Sequence, residues 1–145
     1  MYKNTYIATA LMVILALVGM ADSAVANTEI MTASFYEKGK GCLGCKVYYD
    51  KKGRPYHLMA NGKRFNDQDP TVVAHRDWPI GTCALVTNPD NEETILVVVQ
   101  DRGPYHKDEH GEYDRDLDLS KAAARELNMV GTGVKDLIVT RLNCS

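Results

Sequence analysis

The stretch TCALVTNPDNEETILVVVQDRGP, residues 82–104, decides what kind of fold this chain builds. Two β-rich runs, TCALVTN and ETILVVVQDR, flank Asn88-Pro89-Asp90-Asn91, a cluster of turn formers. The arrangement predicts an antiparallel hairpin whose second strand stops at Gly103-Pro104. Side chains alternate along a strand, so Ile95, Val97, Val99 and Asp101 are expected on one face, and Leu96, Val98, Gln100 and Arg102 on the other. The strand thus delivers a carboxylate, Asp101, to the lip of a turn at the end of an apolar row. Apolar surroundings with no contacting cation would raise its pKa and suit it to hold a proton as a general acid. The competing reading is a carboxylate that caps the turn by accepting backbone N–H bonds.

Outward from the hairpin the pattern stays one of short strands. TASFY (32–36) and TVVAH (71–75) read as strands, the second closed by Trp78-Pro79-Ile80-Gly81. GKGCLGCKVYYDKKGRP (39–55) lacks sustained periodicity and reads as a long loop or hairpin pinned by its cysteines. One helix is predicted at SKAAARELNM (120–129), capped by Ser120 and followed by Gly131, with Ala123 where a capping box would place Glu or Gln. VKDLIVTRL (134–142) is a closing strand. Many short strands with one small helix suggest a compact β-barrel.

The chain has 145 residues, one domain's worth, and a formal charge of −2. That balance gives no basic surplus for nucleic acid and no acidic tail. Residues 1–26 read as a secretory signal peptide: Lys3, an apolar core over 7–20, and the A-x-A site Ala24-Val25-Ala26. The core falls short of the ~20 apolar residues that span a bilayer. No cysteine lies beside it for lipid attachment. The expectation is an exported domain, residues 27–145, periplasmic or secreted, without a stable membrane anchor after cleavage and monomeric. Export makes Cys42, Cys45, Cys83 and Cys144 candidates for structural disulfides, in any of three full pairings. A redox role for Cys42-Leu-Gly-Cys45 would want a thioredoxin-like βαβ pattern, and a zinc site a second close pair; neither surrounds them.

Other polar residues invite chemistry. His75 ends a strand and either orients a carboxylate or substrate or simply bonds to backbone. HKDEH (106–110) follows a Gly-Pro turn with no helix to align ligands, so it reads as a solvated loop, and no metal or cofactor is expected. Tyr36, Tyr48, Tyr49, Tyr56, Trp78 and Tyr105 are flat faces that suit sugar rings, though aromatics also fill cores.

In order, the chain carries ASFYEKG, MANGKRFN, TVVAHRDWPIGT, ALVTN, VVVQDRGPY, RDLDLSKAAARELNM and GVKDLIVTRL. In combination these resemble the rare lipoprotein A (RlpA) family, from Ala33 to Leu142. The resemblance implies a mainly β fold, a six-stranded double-psi β-barrel with one short helix. It also implies lytic transglycosylase activity on peptidoglycan: peptide-free strands cut between N-acetylmuramic acid and N-acetylglucosamine, leaving 1,6-anhydro ends. Such a reaction needs no water, because the substrate's C6 hydroxyl attacks the anomeric carbon, and one carboxyl group serves as acid and then base. By resemblance that group is Asp101 in D-R-G-P, supported by His75 in A-H-R. Asn61, Lys63, Tyr36, Trp78 and Tyr105 are candidates to bind the glycan. Asp118, in D-L-S, is expected to be structural and to meet Arg102 across the barrel.

The chain departs from the family where Lys63 follows Ala60-Asn61-Gly62 in place of the usual Glu. A lysine beside Asp101 would lower the acid's pKa, the wrong direction for proton donation. Glu37 and Asp67 are possible substitutes for the missing carboxylate. The departure keeps an alternative open, a non-catalytic glycan-binding or expansin-like wall-loosening barrel. A third reading is an exported domain whose groove faces another protein.

Overall fold

The structure, a computed structural model, describes residues 27–39 and 46–144. The signal-peptide reading, Cys42 and Cys45 lie outside the described residues. The elements are β1 (Thr28–Tyr36), β2 (Tyr48–Tyr49), β3 (Pro55–Tyr56), β4 (Val72–His75), β5 (Cys83–Thr87), β6 (Thr94–Asp101), β7 (Leu117–Ser120), α1 (Lys121–Glu126) and β8 (Lys135–Leu142). Six strands close into a barrel in the order β1-β7-β4-β6-β5-β8, and β2 and β3 form a small separate ribbon. This is the six-stranded barrel with one short helix that the resemblance implied.

The predicted hairpin is present: β5 and β6 pair antiparallel from Cys83↔Val98 to Thr87↔Thr94. Two contacts are parallel, β1 with β7 and β4 with β6. Parallel neighbours need long connections: β1 and β7 come from opposite ends of the chain, and β4 reaches β6 by way of β5. β7 has no counterpart among the predicted strands, because Leu-Asp-Leu-Ser is too short and too polar to stand out. α1 is capped as expected, Ser120 Oγ accepting from the Ala123 N–H at 3.1 Å. It ends earlier than the sequence suggests, through Asn128 at φ 53° rather than at Gly131. Asparagine tolerates that left-handed conformation.

Alternation gives the barrel two faces. Val97, Val99, Leu117, Leu119, Leu137 and Val139 point inward, each no more than 2% exposed, and meet Leu127 and Met129 from α1 and the turn after it. A second, smaller cluster of Tyr36, Met59, Phe65, Val72 and Ala74 lies apart from the first. It forms on the outer surface of the β1-β7-β4-β6 wall, where residues 57–65 fold back over the strands. Cys83 and Cys144 are joined by a disulfide with Cα atoms 6.1 Å apart, which ties the chain's end to β5.

One irregularity re-aims the end of β6. Between β4 and β6, Val73 pairs with Val99 but Ala74 pairs with Asp101, so Gln100 is the extra residue of a β-bulge. A bulge breaks alternation and re-aims the next side chain. The expected continuous row Ile95-Val97-Val99-Asp101 therefore does not hold. Val97 and Val99 face the interior, while Asp101 shares the outer face with its partner Ala74 and with Tyr36.

Candidate active site

The outer wall brings four residues into one cross-strand line. Ser34 on β1 pairs with Asp118 on β7, Asp118 with Ala74 on β4, and Ala74 with Asp101 on β6. Directly paired residues project to the same face, so two carboxyl groups flank the small Ala74. Tyr36, two residues beyond Ser34, enters from the same strand face and stacks on Phe65, ring centroids 4.2 Å apart.

Asp101 is held by three donors. The Ala60 and Arg102 N–H groups donate to Oδ1, each at 2.9 Å, and the Tyr36 hydroxyl donates to Oδ2 at 3.2 Å. Backbone N–H bonds are thus part of its setting, as the capping reading expected, although Ala60 belongs to a distant loop. That loop is fastened nearby: the Asn61 side chain donates to Gln100 at 3.1 Å, and the Asn61 N–H to the Gln100 carbonyl at 3.1 Å. Gly62 turns the loop at φ 81°, a conformation that favours glycine.

Asp118 accepts from Ser34 Oγ at 3.1 Å. Burial, with Asp101 adding to it and Ser34 and Arg115 opposing, pushes its carboxyl up to about 7. The expected meeting with Arg102 does not occur. The bulge sends Arg102 toward the barrel end, where Nη1 donates to the carbonyls of His75 at 3.2 Å and Trp78 at 2.7 Å. Tyr36, 4% exposed, has its phenol held above the ordinary range by burial, then by the charges of Asp101 and Asp118.

The other predicted residues scatter. His75 pairs with inward-facing Leu117, so its ring lies on the face opposite Asp101. There Nδ1 accepts the Asp77 and Trp78 N–H groups, both at 3.0 Å, and the ring stacks on Trp78 at 4.5 Å. Burial lowers its pKa. Trp78 packs against the interior cluster with the Arg141 guanidinium 5.2 Å above it, and Tyr105 is exposed against the edge of Tyr113. Asn61 and Tyr36 are brought to Asp101. Lys63 sits exposed on the same loop, and no ion pair joins it to Asp101 among the described residues. Of the two substitute carboxylates, Glu37 pairs with Lys121, and Asp67 accepts from the Lys38 N–H at 3.3 Å. His106, in the HKDEH loop, bonds Asp114 at 2.8 Å.

Sequence reasoning missed Ser34 and the Ala60 N–H. The parity of Ser34 with Tyr36 in TASFY was a usable signal for the first. Nothing in a sequence marks a backbone N–H.

The lytic transglycolase family profile matches residues 28–138, and the chain belongs to that family. Among curated relatives, the probable endolytic peptidoglycan transglycosylase RlpA of Nostoc sp. is 41% identical over 102 residues, covering 70% of this chain and 22% of that protein. The endolytic peptidoglycan transglycosylase RlpA of Vibrio cholerae is 36% identical over 103 residues, covering 71% of this chain and 34% of that protein. That of Pasteurella multocida is 39% identical over 93 residues, covering 63% and 28%. The chain thus spans about a fifth to a third of these relatives' length. Among solved structures, the Streptomyces papain inhibitor aligns with a TM-score of 0.52 at 22% identity, covering 79% of this chain and 93% of that one, a likeness of fold.

Proposed function

We propose that this chain is an exported lytic transglycosylase that cuts peptide-free peptidoglycan strands between N-acetylmuramic acid and N-acetylglucosamine. Relatives named endolytic peptidoglycan transglycosylases support the reading of a peptidoglycan-active enzyme. The observation that carries it is Asp101, placed on an outer wall by a bulge and held there by Ala60, Arg102 and Tyr36. Asp101 protonates the glycosidic oxygen as the C1–O bond breaks. The C6 hydroxyl of the muramic acid then bonds to C1, and its proton returns to the carboxylate, so no water is consumed. Tyr36 holds the second carboxylate oxygen, and Asn61 fixes the loop that supplies the Ala60 N–H. Lys63, on that loop, meets the glycan. Exposed Tyr105 serves a farther subsite along the strand, whereas Trp78, packed against the interior cluster beneath Arg141, supports the turn at the barrel end.

His75 acts as a positioning residue in this scheme. It anchors the turn at Asp77-Trp78 whose carbonyl receives Arg102, the neighbour of Asp101.

Mass spectrometry of peptide-free strands incubated with residues 27–145 tests the proposal. Anhydro-muramyl products are expected, and none from Asp101→Asn, whose amide oxygen still accepts the Ala60 and Arg102 N–H groups. Products from that variant would reject the assignment of Asp101. Lys63 favours a second reading, a glycan-binding barrel without cleavage. Retention on peptidoglycan with no product from the wild-type chain would establish it.

A further inference from the structure

Beside the wall that carries Asp101 lies a cleft of about 190 Å³ with an excess of positive charge. It is framed by the β2-β3 ribbon, by Lys38 just beyond β1, and by Arg64 and Phe65 at the end of the segment that folds back over the strands. Phe65 links it to the reaction centre. Its ring stacks on Tyr36 at 4.2 Å, and the Tyr36 hydroxyl donates to Asp101. A glycan seated at Asp101 therefore has this cleft one stacked ring pair away.

Three cations and one carboxylate line the cleft: Lys38, Arg54, Arg64 and Asp50. Asp50 is already engaged, since Arg54 Nη2 lies 2.7 Å from it and the Lys52 and Arg54 N–H groups donate to it. Lys38 donates its backbone N–H to Asp67. Among the described residues no carboxylate pairs with the Lys38 ammonium or with the Arg64 guanidinium. The guanidinium lies 3.8 Å over the Tyr56 ring, which in turn stacks on Tyr48 at 5.6 Å. A guanidinium seated flat on a ring keeps its N–H fork free for a carboxylate.

We propose that this cleft is the subsite for the lactyl carboxylate of N-acetylmuramic acid, held by Arg64 and Lys38, with Tyr56 fixing Arg64 in place. The assignment rests on the transglycosylase reading for its substrate, and it adds a reason why the strand is peptide-free. In peptide-bearing peptidoglycan the lactyl carbonyl is a neutral amide. Once the peptide is gone, the same carbon is a carboxylate. Two cations without protein partners tell these apart by charge, close to the bond that Asp101 cleaves.

The test uses peptide-free strands in two forms, one native and one with its lactyl carboxylates converted to methylamides. Both are titrated into the full chain carrying Asp101→Asn, so that neither is cut. Native strands are expected to bind about fivefold more tightly or better, the effect of a pair of exposed charge contacts. Lys38→Gln with Arg64→Gln in the same background is expected to bind both forms alike, at the affinity of the methylamide form. Both side chains are exposed, so thermal unfolding of this variant should match its parent. Equal binding of the two forms by the parent overturns the subsite, as does binding of neither, or a preference that survives the double substitution. Product analysis with Asp101 intact separates the two proposals. Cleavage without discrimination keeps the transglycosylase reading and removes the subsite; discrimination without cleavage keeps the subsite and removes the reading.

Discussion

Asp118 should leave its mark on folding stability, and the size of that mark follows from its surroundings. In the unfolded chain its carboxyl ionises near the ordinary value of 3.8; in the folded protein burial pushes it up to about 7. Below pH 4 both states hold the proton and the group makes no difference. Between pH 4 and pH 7 the unfolded chain releases it and the folded protein does not, so stability falls as pH rises. Above about pH 7 the loss is complete. A gap of about three units at 1.36 kcal/mol each amounts to about 4 kcal/mol, an upper limit because the side chain is only partly buried. Asp118→Asn keeps the shape and an acceptor for Ser34 Oγ but does not titrate. Relative to wild type it should therefore gain up to about 4 kcal/mol between pH 4 and pH 8.5. Urea unfolding of both proteins at half-unit intervals reads this difference directly, since every other titrating group is common to the two. A relative stability that changes by less than about 1 kcal/mol, below the 1.36 kcal/mol of a single pKa unit, would refute the reasoning.

Tyr36→Phe keeps the stack on Phe65 and removes only the donor to Asp101. Folding stability should change by about 1 kcal/mol or less, while anhydro-product formation falls about tenfold, read by steady-state assay beside thermal unfolding. Gln100→Ala removes the side-chain bonds to Asn61 and Thr71 that fasten the loop carrying Ala60. It should cost about 1 kcal/mol by urea titration and lower kcat more than it raises KM. Cys83→Ser opens a disulfide spanning 61 residues, which should cost about 4 kcal/mol under oxidising conditions and nothing after reduction of both proteins.

The hairpin, the capped helix and the closing strand were legible because each is a local pattern: a turn between two β-branched runs, a serine before alanines, alternation in VKDLIVTRL. The line of Ser34, Asp118, Ala74 and Asp101 was not, because it depends on which strands become neighbours. The bulge at Gln100 defeated the period-2 argument in the best strand of the chain, since one unpaired residue changes the face of everything after it. The expected partnership of Asp118 with Arg102 failed for the same reason, as Arg102 was carried to the barrel end. Asp101 was singled out by its place before Gly103-Pro104 and given its role by the family resemblance. What surrounds it came from residues 34, 36, 60 and 118, remote in sequence. The disulfide was expected in kind, and its partners, Cys83 and Cys144, became visible only once β5 and β8 lay side by side.

The parallel contact of β1 with β7 has a consequence for how the molecule assembles. Among the described residues, the first strand finds its sheet neighbours in 117–120 and 135–142, so no N-terminal fragment of these residues owns a closed sheet. A chain emerging from a ribosome or a translocation channel must keep Thr28–Tyr36 waiting until almost the last residue is free. High sequence separation between contacts slows folding and leaves strand edges open meanwhile. Asp101 and Asp118 would then come onto one wall in the final act of folding, so a chain truncated before β7 lacks both Asp118 and the strand that seats β1.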